Sequence, residues 1–123
     1  MPFIPQTCLD AQTVNTTMSD DQFGANIALL SNGNILVTWT TNDPTGLGLP
    51  DGADILGQLF NPMGARIGTE FIVNHASTSD NESKSDIVAL LGGGYIVIYH
   101  NDEVGFAGGS NIRLEEYSAT GVR

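Results

Sequence analysis

The residues of this chain best suited to chemistry are aromatic and acidic. Trp39, Tyr99 and Tyr117, with Arg113 and Glu115, are the types a sugar site combines: flat apolar rings beside planar groups that bond hydroxyls. They lie far apart in sequence, so only a fold that stacks strands could gather them. Trp39 also continues an apolar alternation begun by Ile35 and Val37, which gives it a competing role in the core. A second set could serve Ca²⁺, which takes roughly six to eight oxygen ligands. Its members are Asp43, Asp51 and Asp54 in one stretch, and Asp102, between Asn101 and Glu103, in another. Neither stretch has EF-hand spacing, and Asp and Asn also serve turns.

Catalytic signatures are missing at the level of short motifs. His75, His100 and Cys8 have no metal-ligand spacing. There is no Gly-x-Ser-x-Gly elbow. Gly92-Gly93-Gly94 is followed by tyrosine, not by the lysine of a phosphate loop. Glu115 and Glu116 are neighbours, and neighbours on a strand point to opposite faces. On this ground the chain reads as a non-enzymatic module.

The totals narrow the partners. Fourteen acids stand against four bases, a net charge of −10. Nucleic acid needs a basic footprint, and so does an anionic membrane surface. No apolar run approaches the length of a membrane span. One cysteine excludes an internal disulfide. Met1-Pro-Phe-Ile-Pro5 carries no basic, apolar leader. These features leave a place outside the cell or at its surface open, and a cytoplasmic one as well.

The 123 residues are one domain in size. Fifteen glycines and five prolines among many Asn, Asp, Ser and Thr suit short strands and frequent turns. Ser31-Asn32-Gly33-Asn34, between apolar runs, predicts a β-hairpin. Ile35, Val37 and Trp39 share one face of its second arm. Asp54 to Phe60 predicts a strand, Asn61-Pro62-Met63-Gly64 a turn, and Glu70 to Asn74 another strand. His75 to Ser85 reads as polar loop. Asp86 to Leu91 and Tyr95 to His100 then form a second hairpin. Asn111 to Tyr117 is a strand, closed by a turn at Ser118 to Gly121.

The second half repeats the first. Ala28-Leu29-Leu30 aligns with Ala89-Leu90-Leu91, and Gly33 with Gly94. Ile35, Val37 and Trp39 then align with Ile96, Ile98 and His100, an offset of 61. Beyond the middle loop Ile55, Phe60, Gly64 and Arg66 align with Ile112, Tyr117, Gly121 and Arg123, an offset of 57, so the second loop is four residues shorter. Thr13-Val14-Asn15 resembles Ile72-Val73-Asn74. Residues 1–12 form an arm and start strand, 13–71 a first unit and 72–123 a second. The expected fold is all-β: two tandem four-stranded antiparallel units, each like a β-propeller blade. One such sheet cannot cover both its faces. Self-association into a closed ring is expected, with the start strand at Ala11 to Asn15 completing a neighbour's last sheet. An excerpt of a longer array and a two-sheet sandwich stay open.

Three stretches carry a family resemblance. They are Asp51-Gly-Ala-Asp-Ile-Leu-Gly-Gln-Leu-Phe-Asn-Pro-Met-Gly64, Gly68-Thr-Glu-Phe-Ile-Val-Asn74 and Val88-Ala-Leu-Leu-Gly-Gly-Gly-Tyr-Ile-Val-Ile-Tyr99. The pattern resembles a tandem β-repeat of large bacterial secreted proteins, the RTX and haemolysin-type calcium-binding proteins and adhesins. The resemblance implies a secreted or surface-associated, self-assembling binding module. It implies Ca²⁺ by association, although the Gly-Gly-x-Gly-x-Asp nonapeptide of calcium β-rolls is absent. Three roles follow as expectations: a structural or adhesin-like module, a lectin with glycan or cell-surface sites between blades, and a Ca²⁺-stabilised repeat.

Overall fold

The computed structural model describes residues 11–42, 52–74, 81–102 and 109–123. Within them the chain is all-β. Strands β1 (Gln22–Leu29), β2 (Ile35–Thr41), β3 (Asp54–Phe60) and β4 (Arg66–Ile72) form one antiparallel sheet in chain order. Strands β5 (Asn81–Ala89), β6 (Tyr95–Asp102) and β7 (Ser110–Tyr117) form a second. The expectation of two four-stranded units is corrected: among the described residues the sheets have four strands and three.

Turn chemistry sets the hairpins. At the β1–β2 turn Leu30 N–H bonds Asn34 O and Gly33 N–H bonds Leu30 O, with Gly33 at φ +88°. At the β5–β6 turn Leu90 N–H bonds Gly94 O, and Gly93 takes φ +91°. A positive φ at this site requires glycine or a small polar residue. The shared geometry makes Gly93, not Gly94, the counterpart of Gly33. Two further features agree. Both hairpins carry a bulge, between Phe23 and Asn26 and between Ser83 and Asp86, and its positive-φ residue is Gly24 in one and Lys84 in the other.

The offset of the hairpins is therefore 60, one less than the sequence alignment suggested. The offset of 57 from β3 to β7 stands, because Ile35 faces Phe60 and Tyr95 faces Tyr117. The second middle loop is thus three residues shorter, not four. An odd shift matters in a strand, since it moves every side chain to the other face. The counterpart of Trp39 is Tyr99, and His100 answers to Thr40.

Both faces of the first sheet carry apolar residues. Val37, Trp39, Leu56 and Phe60, with Ile35, Ile72 and Val14, cluster on one face. Leu36, Ile55 and Leu59, with Leu30 and Val73, pack against Tyr95, Val97, Tyr99 and Tyr117 of the second sheet. The same face of each sheet thus points the same way, as in successive blades. Strand β5 lies across β1, β2 and β3. Phe71 covers Gly57, where a Cβ would sit 2.7 Å from the ring.

Two local expectations change. Ala11 to Asn15 forms no strand. It is held on β4 by side chains: Arg66 donates to Thr13 O and Val14 O, and Glu70 accepts from Thr16 N–H, Thr17 N–H and the Thr17 hydroxyl. Burial of Glu70 works against its charge, yet these donors outweigh it and hold its carboxyl below the usual value. The stretch expected as loop up to Ser85 is strand from Asn81 onward. Its polar run hid it, because Glu82 and Ser85 are buried.

Tyr95 and Tyr117 stack at 5.0 Å with a 16° interplanar angle. Tyr117 donates its hydroxyl to Val73 O at 2.7 Å, whereas the buried Tyr95 hydroxyl has no hydrogen-bond partner among the described residues. The two tyrosines therefore respond oppositely to loss of the oxygen. Tyr117→Phe is expected to cost about 1–2 kcal/mol in urea unfolding, because a buried carbonyl loses its donor. Tyr95→Phe is expected to be neutral or mildly stabilising in the same measurement.

Candidate functional site

Five polar residues from five segments meet at the end of the sheet-to-sheet interface. Asp54 opens β3, Asn74 follows β4, Glu82 lies on β5, Asn101 on β6 and Arg113 on β7. Asn74 orients the group. Its Oδ1 accepts from Ile55 N–H at 2.7 Å, which turns its Nδ2 toward the carboxylates. That nitrogen donates to Asp54 Oδ1 at 2.8 Å and to Glu82 Oε2 at 2.9 Å. Asn101 Nδ2 donates to Glu82 Oε1 at 3.1 Å, and Arg113 Nε donates to Asn101 Oδ1. Main-chain bonds brace it, from Glu82 N–H to Ala53 O and from Ala53 N–H to Asn81 Oδ1.

All but Arg113 are buried. Burial raises the Asp54 carboxyl above its usual value, against the opposing bond from Asn74. Two carboxylates on one amide nitrogen have the closeness that acid–base chemistry uses. Here they are sealed between sheets, and their observed work is to tie β3, β5 and the Asn74 segment together.

A second feature is open. A groove of about 540 Å³ runs along the turn end of the second sheet. Leu91, Gly92, Glu116, Ser118, Val122 and Arg123 line it. Leu91 is fully exposed and Val122 largely so. Arg123 is anchored from beneath: its Nη1 meets Glu115 Oε2 at 3.2 Å, and Tyr99 donates to Glu115 Oε1 at 3.4 Å. The groove offers a fixed guanidinium, a carboxylate and a hydroxyl above an apolar floor.

Four of the five candidate sugar residues do converge. Tyr99, Arg113, Glu115 and Tyr117 share the face of the second sheet turned to the first. Tyr99 and Tyr117 are core residues there, and burial pushes both phenols upward. Neither ring is offered as a platform. Trp39 is elsewhere, buried on the far face of the first sheet, where its Nε1 donates to Gln22 Oε1 at 2.9 Å. Of the metal candidates, Asp43 and Asp51 lie outside the described residues. Asp54 is engaged by Asn74, and Asp102 is exposed at the end of β6. Among the described residues there is no group of three or more His, Cys, Asp or Glu placed to hold a metal ion. His75, Cys8 and Glu103 also lie outside the described residues.

Sequence reasoning missed Asn74, Glu82 and Asn101 as a unit. Only one signal pointed to them. Asn74 ends the Glu-Phe-x-Val-Asn stretch, where an amide after an apolar strand is unusual for a solvated turn. Arg123 and the groove had no signal, because the groove is made by the β5–β6 turn and the turn after β7, which are distant in the chain.

The sign of the pH dependence follows from Asp54. Its folded form holds a proton more tightly than the unfolded chain, whose ordinary value is 3.8. That contribution to stability is full below the unfolded value and is lost as pH rises through the raised folded value. Asp54→Asn keeps an acceptor for Asn74 and removes the buried charge. It is expected to gain melting temperature over the parent between about pH 4 and neutrality, and to match it at lower pH. A difference constant across that range would place the effect elsewhere.

No protein-family model matches the sequence, and no curated protein matches it. Among solved structures, the fold is similar to an endo-arabinase from Bacteroides thetaiotaomicron VPI-5482, with a TM-score of 0.56 and 12% identity over 86% of this chain. The chain spans 40% of that protein's length. That protein has a β-propeller-type fold, and at this identity the likeness concerns the fold alone. It corrects one expectation. The reading as a non-enzyme rested on missing short motifs, yet this fold carries an enzyme in the similar protein. The buried network shows the physical reason: strands here gather side chains from five distant segments, which no short motif records.

Proposed function

We propose that the chain binds carbohydrate, in the groove at the turn end of its second sheet. The observation that carries this reading is Arg123. Glu115 fixes its guanidinium at 3.2 Å, at the edge of an open groove that Glu116 and Ser118 also line. Sugars need planar donors and acceptors at fixed spacing, and an apolar surface for their C–H faces. Leu91 and Val122 supply the apolar part. The ligand is neutral, since the chain carries a net charge of −10 and repels polyanions. The fold shared with an endo-arabinase makes arabino-oligosaccharides the first ligands to try.

The test is titration of the protein with a panel of neutral oligosaccharides, arabino-oligosaccharides included, followed by amide NMR shifts. Saturable binding is expected, with shifts at Leu91, Ser118 and Val122. Arg123→Ala is expected to weaken it by about tenfold or more, the loss of a charge-assisted bond. No saturable binding by any glycan at millimolar concentration would overturn the reading.

A further inference from the structure

We infer that a second copy of this chain docks on the free face of the second sheet, head to tail, with its first sheet's Val37–Trp39–Phe60 face. The inference rests on the repeat geometry and not on the carbohydrate reading. Each sheet has two faces, and the interface inside the chain shows what they meet. The tail face of the first sheet carries Leu36 and Ile55, buried under the second sheet, and Gly57, buried under the Phe71 ring. The corrected offsets put Ile96, Ile112 and Leu114 at those positions on the second sheet. Ile112 is 59% exposed where Ile55 is 0% exposed, and Leu114 is 58% exposed. Ile98, counterpart of the buried Thr38, is also exposed and lines a hollow of about 130 Å³ with Lys84, His100 and Ile112. Glu116 answers to the covered Leu59, so the exposed set is apolar except at that edge, and an exposed apolar patch of this kind marks a contact site.

The head face has the matching surplus. On the second sheet, Ile87 packs into the core between sheets. Its counterpart on the first sheet, Ile27, is 71% exposed and borders a groove of about 160 Å³ with Val14, Val37 and Phe60. Val14 stands where Val73 stands. Val73 is buried in the internal seam, where it receives the Tyr117 hydroxyl. Val14 lies against Phe60, the counterpart of Tyr117.

The polar end of the seam is also matched, without charge. The internal network runs Asp54, Asn74, Glu82, Asn101. The corresponding positions are Asn111 at the start of β7, in register with Asn101, then Asn15, Gln22 and Thr41 in the first half of the chain. Two of these already bond to each other, as their counterparts do, with the direction reversed: Gln22 Nε2 donates to Thr41 Oγ1 at 2.8 Å, where Asn101 Nδ2 donates to Glu82 Oε1. These four positions carry no charge, while Asp102 and Glu116 share the tail face with Ile96, Ile98 and Leu114. The occupant is therefore a sheet of this same repeat, and a second copy presents one. The contact is heterologous, so it closes a ring or extends. The sugar groove opens along the same seam, and the neighbour would form one wall of it.

The test uses the full chain and measures mass by light scattering over a wide concentration range. Ile112→Lys and, independently, Leu114→Lys block the tail; Ile27→Lys blocks the head. These side chains are exposed, and circular dichroism verifies the folds. The parent is expected as a discrete oligomer, each blocked variant as a single chain, and a mixture of head-blocked with tail-blocked chains as a one-to-one dimer. A parent of single-chain mass would overturn the proposal and leave the free face to another repeat. So would a tail-blocked variant that keeps the parent's mass, or a mixture that stays single-chain. Failure of sugar binding changes none of these masses.

Discussion

The amide of Asn74 is the contact on which the rest of this structure depends. Its oxygen is taken by Ile55 N–H, and its nitrogen spans Asp54 and Glu82. A buried carboxylate without donors is costly, and two side by side are worse. The amide offsets part of both costs with one side chain, although burial still holds the Asp54 carboxyl above its usual value. In doing so it fixes where β5 starts relative to β3, and therefore the register of one sheet over the other. Apolar packing of Leu36, Ile55, Tyr95 and Val97 supplies most of the driving force but little orientation. Direction comes from the hydrogen bonds at the two ends of the seam, Asn74 at one and Ser31 with Leu90 and Gly93 at the other.

A seam built this way is directional. The first sheet presents its Ile55 face and the second its Tyr95–Tyr117 face, so each sheet has a head and a tail. That separates this arrangement from a sandwich, in which two equivalent inner faces meet. It also leaves a head and a tail unused at the outside of the pair. The likeness to a propeller-type endo-arabinase, of which this chain spans 40%, concerns the fold of these sheets.

Chemistry sits where the strands end. The buried acids serve the seam, while the exposed polar groups gather at the turns, around Arg123. Turns on a rigid sheet can vary without disturbing the core, which is why binding groups tend to lie there. Glu115 joins the two roles. Its face is set by β7, and its carboxylate reaches from the core tyrosine Tyr99 to the groove arginine Arg123.

Much of this was legible in the residues alone. The alternation of Ile35, Val37 and Trp39, the Asn-Gly and Gly-Gly turns and the duplicated Ile-x-x-x-x-aromatic strand determine an all-β chain of two like units. Those signals are local, carried by side-chain period and backbone permissiveness within a few residues. Three things were decided only in three dimensions. The hairpin offset was settled by which main-chain groups close each turn, Leu30 N–H to Asn34 O in one and Leu90 N–H to Gly94 O in the other, and Gly92, Gly93 and Gly94 are identical as letters. The polar start of β5 was hidden because Glu82 and Ser85 become strand residues only when Asn74, Asn101 and Thr38 are there to bond them. The fate of Tyr99 and Tyr117 was hidden too, because a ring that could hold a sugar and a ring that fills a core are the same residue. Which one it is depends on what the opposite sheet brings against it, a contact between residues distant in the chain.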